Sequence, residues 1–150
     1  MKLAQLLDEQ KIFLELSSQT CHEVMQELVG YLDEQGALQE VTREVALEAL
    51  HNREDEISTG VGCGVAIPHA YVDDLAEPLA IFGRSAEGVE FASCDNAPVR
   101  FVILLLIPED KRGQHLLTLA DIGKRFLSCE VRESLAQAQD RKTVLEVLTQ

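Results

Sequence analysis

"FVILLLI", residues 101–107, is the longest apolar run in the chain. It lies within "VRFVILLLIP", where apolar and polar residues do not alternate, so we expect a central strand that is covered on both faces. Two shorter apolar runs, "GVAI" (residues 64–67) and "PLAIFG" (residues 78–83), are bounded by Gly, Pro or polar residues, which is typical of strands. The middle third of the chain therefore predicts a buried sheet.

The segments on either side of this sheet show helical spacing. Thr20 and Glu23 in "TCHE" have the spacing of a capping box, and Gly36 is a plausible end for the helix that begins there. Further helices are expected over residues 42–51, with Arg53 just beyond, over residues 113–127, and after residue 140. The pattern predicts one layered α/β domain over residues 1–150, without predicting its strand order.

The composition excludes several classes of protein. The 150 residues carry a formal net charge of −13, which disfavours nucleic acid as a partner. No apolar run approaches the roughly 18 residues of a membrane span, and the N-terminus turns acidic too early for a signal peptide, so we expect a cytoplasmic protein. The cysteines are far apart, without a C-x-x-C pair, which favours reduced thiols over disulfides or a zinc site. They are Cys21, Cys63, Cys94 and Cys129.

A glycine-rich stretch precedes one histidine: "STGVGCGVAIPHAYVDDL", residues 58–75. Backbone N–H groups in such a stretch can converge on a phosphate. No Walker Lys-Ser/Thr pair follows, however, and a strand-like segment stands where a dinucleotide fingerprint has a helix. On its glycines alone, the stretch is best interpreted as a tight turn. Pro68 restricts the backbone before His69 and would hold its imidazole in a defined place.

Two other residues are candidates for chemistry with His69. Arg53 lies 16 residues before it, and His115 lies 46 residues after it, close to the start of a predicted helix. Taken separately, Arg53 is most simply a solvated charge and His115 a structural histidine at the rim of an apolar stripe. A metal site built from Cys63 and His69 is a further alternative, but it lacks the usual ligand spacing.

Taken together, these residues resemble a known family. "REDEISTGVGCGVAIPHA" is similar to the phosphorylation-site region of enzyme IIA domains of the bacterial phosphoenolpyruvate:sugar phosphotransferase system, of the fructose/mannitol/nitrogen-regulatory type. "DNAPVRFVILLLIPED" and "GQHLLTLADIGKRF" continue the resemblance over nearly the whole chain. The residues that match the family pattern around the histidine are Arg53, Glu54, Ser58, Thr59, Gly60, Gly62, Gly64, Ala66, Pro68 and His69.

The resemblance implies a mixed β-sheet with helices on both faces, and a phosphotransferase component that uses no cofactor or metal. It implies that His69 accepts the phosphoryl group, assisted by His115 and Arg53, and that a phosphate-binding loop is formed by Thr59, Gly60, Gly62 and Gly64. The implied donor is an HPr-like phosphocarrier protein. The implied recipient is a IIB component, unless the phosphorylation state regulates a transporter or kinase, as in a nitrogen-regulatory member.

Three positions depart from the family pattern. Cys63 replaces a small polar residue such as Asn, Asn96 replaces the glycine of an Asp-Gly turn, and Tyr71 stands where lysine or another polar residue is frequent. These departures leave the candidate phosphorylation residues intact but affect the rim around them. A different class of function therefore remains an alternative, a regulatory binding module that controls a transporter or kinase without transferring phosphate.

Overall fold

The central element of the fold is the long strand β6, Val99–Pro108, as the apolar run predicts. The computed structural model describes residues 3–38, 40–92 and 95–150, except for the side chains of residues 114–116. Every residue of β6 is buried except Arg100. On one side it pairs with the antiparallel strand β5, Leu79–Val89, and on the other with two short parallel strands, β3 (Val65–Ala66) and β4 (His69–Val72).

Two more short strands complete the sheet. Strand β1, Ile12–Phe13, lies parallel to β5, and β2, Gly60–Gly62, lies antiparallel to β3. The order is β1-β5-β6-β3-β2, with β4 beside the second half of β6. The sheet is therefore mixed, as the family resemblance implies. Its order depends on long-range pairing that the sequence pattern does not contain.

Alternate residues of β6 support two separate helical layers. Val102, Leu104 and Leu106 pack with helices α2 (Cys21–Glu34) and α3 (Arg43–Glu56). The residues between them, among them Ile103 and Leu105, pack into the other layer. That layer contains α1 (Leu3–Leu6), α4 (Leu116–Phe126), α5 (Cys129–Gln137) and α6 (Arg141–Thr149). Two 3₁₀ helices, Glu9–Lys11 and Glu109–His115, complete the described elements.

The local signals at the helix ends have the expected geometry, with one difference. The Thr20 hydroxyl oxygen accepts the N–H of Glu23 at 3.3 Å, but the Glu23 carboxylate accepts the Thr20 hydroxyl, at 2.9 Å, rather than its backbone N–H. Gly36 has a φ of 73°, the left-handed conformation in which helices commonly end. Asn96 also has a positive φ, of 57°, so it replaces the glycine of the turn before β6 without changing the turn.

One local prediction needs correction, and two elements were not predicted. Helix α3 ends at Glu56, not at His51, so Arg53 lies in its last turn and not beyond it. The glycine-rich stretch contains the tight turn that was predicted, here between β2 and β3, and β3 lies within the predicted strand segment of residues 64–67. The strand β4, which starts at His69, was not predicted. Helix α5 has no counterpart in the prediction. No helix among the described residues combines the length and the apolar character that crossing a membrane requires.

Candidate functional site

His69 is the first residue of β4 and is held by the strand beside it. The N–H of Leu105 in β6 donates to the carbonyl oxygen of Pro68 at 2.9 Å, and His69 is in register with Leu105. Helix α3 packs against β4 from the other side. The imidazole is half-buried at this junction between the sheet and α3. Proline and strand pairing together leave the backbone at His69 little freedom.

The imidazole has a defined tautomer. Nδ1 of His69 lies 2.7 Å from the carbonyl oxygen of Ile67. A carbonyl oxygen only accepts hydrogen bonds, so Nδ1 carries the proton and the lone pair of the neutral ring is on Nε2. Burial lowers the pKa of His69, and the positive charge of Arg53 lowers it further, whereas the Ile67 carbonyl and the Glu54 carboxylate oppose the shift. The ring is therefore neutral at pH 7, with Nε2 free to act as a nucleophile.

Two adjacent residues of α3 influence this imidazole. Arg53 is half-buried, and its Nη1 donates to the carbonyl oxygen of Ile57 at 3.0 Å, which ties the guanidinium to the end of the helix. Glu54 is only 8% exposed. Helix α3 packs against β4, and the charges of both residues act on the pKa of His69. The structure thus brings Arg53 and His69 together, as the resemblance implies.

Backbone N–H groups of the predicted phosphate-binding loop donate hydrogen bonds to acceptors within the protein. The Thr59 N–H donates to the two carboxylate oxygens of Glu54 at 3.0 and 3.2 Å, and the Gly60 N–H donates to the Ser58 hydroxyl at 3.1 Å. The Ser58 hydroxyl in turn donates to the carbonyl of Phe91. The N–H groups of Thr59 and Gly60 therefore have protein acceptors in this state of the chain. A phosphate-binding role for the loop stays a prediction.

Gly62 and Gly64 serve the geometry of the β2–β3 hairpin. Gly62 pairs with Val65, and the two residues between them, Cys63 and Gly64, have φ values of 56° and 77°. Positive φ at both central residues is what a type I′ hairpin turn requires. The N–H of Cys63 donates to Oδ2 of Asp95 at 3.0 Å, and the thiol-bearing residue is exposed.

His115 ends the 3₁₀ helix Glu109–His115 directly after β6, and its side chain lies outside the described residues. The segment that carries it is attached to β4. The Arg112 guanidinium lies 4.1 Å from the centre of the Tyr71 ring, two residues after His69, and the Lys111 Nζ lies 3.7 Å from Oε2 of Glu77. These contacts hold the segment before His115 near β4 and the loop that follows it.

The rim beyond β4 is acidic. A surface cavity of about 390 Å³ follows the strand. Four of its lining residues are carboxylates, Asp73, Asp74, Glu109 and Asp110. Together with the net charge of −13, this rim presents a negative potential to any protein that approaches His69.

Two features of α3 have no signal in the sequence. Glu54 was recognised only as part of a motif, although its burial next to the hairpin makes it a structural neighbour of His69. The rings of His22 and His51 stack at 4.2 Å, and His22 Nε2 lies 3.6 Å from Asp55. This second histidine pair joins α2 to α3. Among the described residues, no group of three or more His, Cys, Asp or Glu side chains has the arrangement to hold a metal ion.

Comparison with known proteins identifies what this architecture is similar to. The family model described as "Phosphoenolpyruvate-dependent sugar phosphotransferase system, EIIA 2" matches residues 5–150. A fructose-specific EIIA component from Haloferax volcanii is 39% identical over 108 residues, which are 72% of this chain and 70% of that protein. The fructose-specific EIIABC component of Bacillus subtilis is 33% identical over 150 residues, all of this chain but only 23% of that protein.

A solved structure agrees with the sequence relatives. The nitrogen regulatory protein IIA-Ntr from Neisseria meningitidis superposes with a TM-score of 0.91 at 29% identity, covering 98% of this chain and 99% of that one. The mixed sheet between two helical layers is thus the architecture of that protein.

Proposed function

We propose, because the chain belongs to the EIIA 2 family of the phosphoenolpyruvate-dependent sugar phosphotransferase system, that it carries a phosphoryl group on Nε2 of His69. The observation that carries this proposal is the contact of 2.7 Å between His69 Nδ1 and the Ile67 carbonyl oxygen. This contact fixes the proton on Nδ1 and leaves Nε2 as the nucleophile. The lowered pKa of His69, caused mainly by burial of the ring, keeps that nucleophile unprotonated at pH 7.

In the proposed step, the Nε2 lone pair attacks the phosphorus of a phosphorylated donor protein. The new P–Nε2 bond forms as the bond between phosphorus and the donor's imidazole nitrogen breaks, and the electron pair of that bond stays with the donor ring. Catalysis of such transfers is mainly positioning and stabilisation of charge. Arg53 is proposed to stabilise the charge on the phosphoryl oxygens, and His115 to donate a hydrogen bond to them.

The proposed donor is an HPr-like phosphocarrier protein, and the acidic rim of Asp73, Asp74, Glu109 and Asp110 supports a basic partner. The recipient is a IIB component or a regulated transporter or kinase. Relatives named fructose-specific EIIA support the first destination, and the nitrogen regulatory protein IIA-Ntr supports the second. The proposal places the chain in the cytoplasm, where phosphoenolpyruvate is available.

The test is phosphorylation by phosphoenolpyruvate, enzyme I and HPr, followed by intact-mass measurement. The wild-type chain should gain one phosphoryl group that is labile in acid and stable in alkali. The His69→Gln variant should gain none, whereas His22→Gln, which changes an exposed histidine on α2, should be labelled normally. Labelling of the His69→Gln variant would show that another residue is the acceptor.

The role of His115 needs a separate measurement. The His115→Ala variant should still be modified on His69, but transfer to or from that residue should be slowed. Rapid-quench measurements of phosphotransfer from phospho-HPr give the rate. An unchanged rate in this variant would contradict the proposed role of His115.

A further inference from the structure

Glu54 is a buried carboxylate, and both of its oxygens accept hydrogen bonds from a single residue, Thr59. It is 8% exposed, its Oε1 and Oε2 accept the N–H of Thr59 at 3.0 and 3.2 Å, and its Oε2 accepts the Thr59 hydroxyl at 2.7 Å. Among the described residues, no Lys, Arg or His nitrogen pairs with this carboxylate within 4.0 Å. Burial of a carboxylate without a cation is costly, so stability alone gives little reason for an acid here.

A continuous chain of hydrogen bonds connects Glu54 to the imidazole of His69. Glu54 holds Thr59 by its N–H and its hydroxyl. The Thr59 carbonyl accepts the N–H of Ile67 at 3.1 Å, and the Ile67 carbonyl accepts Nδ1–H of His69 at 2.7 Å. The N–H and the carbonyl of Thr59, like those of Ile67, belong to different peptide groups, so these bonds act by fixing the backbone positions of the two residues. These bonds therefore hold the ring of His69 in place relative to Glu54.

Glu54 also acts on His69 through space. Its negative charge raises the pKa of His69, against burial, which is the largest cause of the lowering, and against Arg53. When Nε2 forms a bond to phosphorus, the ring becomes positively charged while its proton stays on Nδ1. A nearby carboxylate stabilises a ring in that state, in the way that a carboxylate stabilises the imidazolium of a hydrolase triad.

We propose that Glu54 is a positioning residue for phosphorylation of His69: through Thr59 and Ile67 it holds the imidazole with Nε2 outward, and its charge stabilises the ring as the P–Nε2 bond forms. This inference rests on the proposed function and extends it to a buried residue. The proton remains on Nδ1 throughout, and the bond that breaks is the one between phosphorus and the donor's imidazole nitrogen.

The experiment compares Glu54→Gln with Asp55→Asn. Both changes remove one carboxylate charge from the last turn of α3, but Asp55 is exposed, contacts His22 and is not among the groups that shift the pKa of His69. Two readouts are measured for each variant: the pKa of His69 from NMR titration of its imidazole, and the kcat and KM for transfer from phospho-HPr. The Thr59→Val variant removes the hydroxyl but keeps the charge of Glu54.

We expect Glu54→Gln to lower the pKa of His69 and to reduce kcat by about tenfold or more, with KM little changed, because docking is unaffected while the ring is misplaced. Asp55→Asn should change neither quantity. Thr59→Val should reduce kcat less than Glu54→Gln and leave the pKa near the wild-type value. A purely structural role of Glu54 would lower the thermal midpoint without moving the pKa of His69, and that result would overturn the proposal.

The outcomes separate this proposal from the proposed function. If the wild-type chain takes no phosphoryl group on His69, the proposed function fails, whereas the NMR titration still tests the coupling of Glu54 to His69. If the wild-type chain is phosphorylated on His69 and Glu54→Gln changes neither kcat nor the pKa, the role of Glu54 is refuted and the proposed function stands. Should Glu54→Gln not fold, an unchanged kcat in Thr59→Val refutes the positioning chain.

Discussion

Arg53 and Glu54 are adjacent in the last turn of α3, and their charges oppose each other at His69. Burial of the ring is the largest cause that lowers the pKa of His69. The Arg53 guanidinium lowers it further, whereas the Glu54 carboxylate raises it. In the proposed reaction, this helical turn supplies a cation for the phosphoryl group and an anion for the His69 ring.

The Arg53→Gln variant tests the cationic half of this arrangement. Removing the guanidinium should raise the pKa of His69 and slow phosphotransfer by about tenfold or more, because an oriented donor to the phosphoryl oxygens is lost. NMR titration and rapid-quench kinetics measure the two effects. Arg43→Gln is the matched control, because Arg43 begins the same helix and pairs with Asp33. An unchanged rate in Arg53→Gln would exclude the guanidinium from the reaction.

The pH dependence of stability follows from the same burial. The unfolded chain binds a proton at His69 near the ordinary pKa of 6.5, whereas the folded chain binds it only at lower pH. Between these two values the unfolded state holds more protons, so the free energy of unfolding decreases as the pH falls below 6.5. The His69→Gln variant should show a weaker decrease than the wild-type chain in urea denaturation at pH 7.5, 6.5 and 5.5, pH values chosen to bracket roughly the ordinary histidine pKa.

His51 provides an internal comparison for that measurement. Burial lowers the pKa of His51, and the stacked ring of His22 lowers it further, so it contributes a decrease of the same sign. The dependence of the free energy of unfolding on pH should therefore be weaker in His69→Gln than in the wild type, but not abolished. It should be weaker still in a double variant that also carries His51→Gln. Equal slopes in the wild type and His69→Gln would mean that the folded chain protonates His69 at its ordinary pKa.

The extent to which the sequence predicts the fold varies by element. The core strand is recognisable because seven consecutive apolar residues, 101–107, leave no polar face. The end of α3 is not recognisable from the sequence, because residues 52–56 are polar and lack an apolar stripe. These residues nevertheless continue the helix, and Glu54 among them is buried. The short strand β3 falls within a recognisable apolar run, whereas β4 depends on pairing with β6, more than 30 residues away along the chain, which local patterns do not reveal.

The sequence likewise predicts some features of the candidate site and not others. Pro68 and the glycines identify His69 because they leave a local signature in the sequence. The burial of Glu54 and the stacking of His22 on His51 follow from how α2 and α3 pack together, and no spacing rule predicts them. The charge pattern gives a wrong expectation here: a run of acidic residues ordinarily indicates a solvated face, but Glu54 in "REDE" is buried.

Two glycines should respond in opposite directions to alanine. A Cβ at Gly83, in β5, would lie 2.9 Å from Cδ1 of the buried Leu16, so Gly83→Ala should destabilise the fold by about 1–3 kcal/mol. At Gly123, in α4, a Cβ meets no described atom within 4 Å, and Gly123→Ala should stabilise by about 0.5–1 kcal/mol. Urea denaturation of both variants gives the two values.

The assignment to Leu16 is checked by a double-mutant cycle. If contact with Leu16 causes the loss, then combining Gly83→Ala with Leu16→Ala should cost less than the sum of the two single changes. Additive costs would show that the strand at Gly83 is disturbed for another reason.

Cys63 is an exposed thiol at a position where the family pattern has a small polar residue such as Asn. It is exposed at the turn of the β2–β3 hairpin, whereas Cys21 is half-buried and burial raises the pKa of its thiol. We expect iodoacetamide to modify Cys63 before Cys21, whereas Cys129, which is exposed as well, should react alongside Cys63. Cys94 lies outside the described residues. Iodoacetamide labelling mapped by mass spectrometry measures the order.

Alkylation of Cys63 should impair docking of a carrier protein, because the hairpin that bears it leads directly into β4 and also exposes Val61. We expect slower transfer from phospho-HPr after complete alkylation, through a higher KM. The Cys63→Asn variant is the control: Asn tolerates the φ of 56° at this position, so the hairpin keeps its turn and iodoacetamide no longer affects transfer. Cys129→Ser should leave the effect of iodoacetamide intact. Transfer that is undiminished after complete alkylation of Cys63 would place the hairpin turn outside the docking surface.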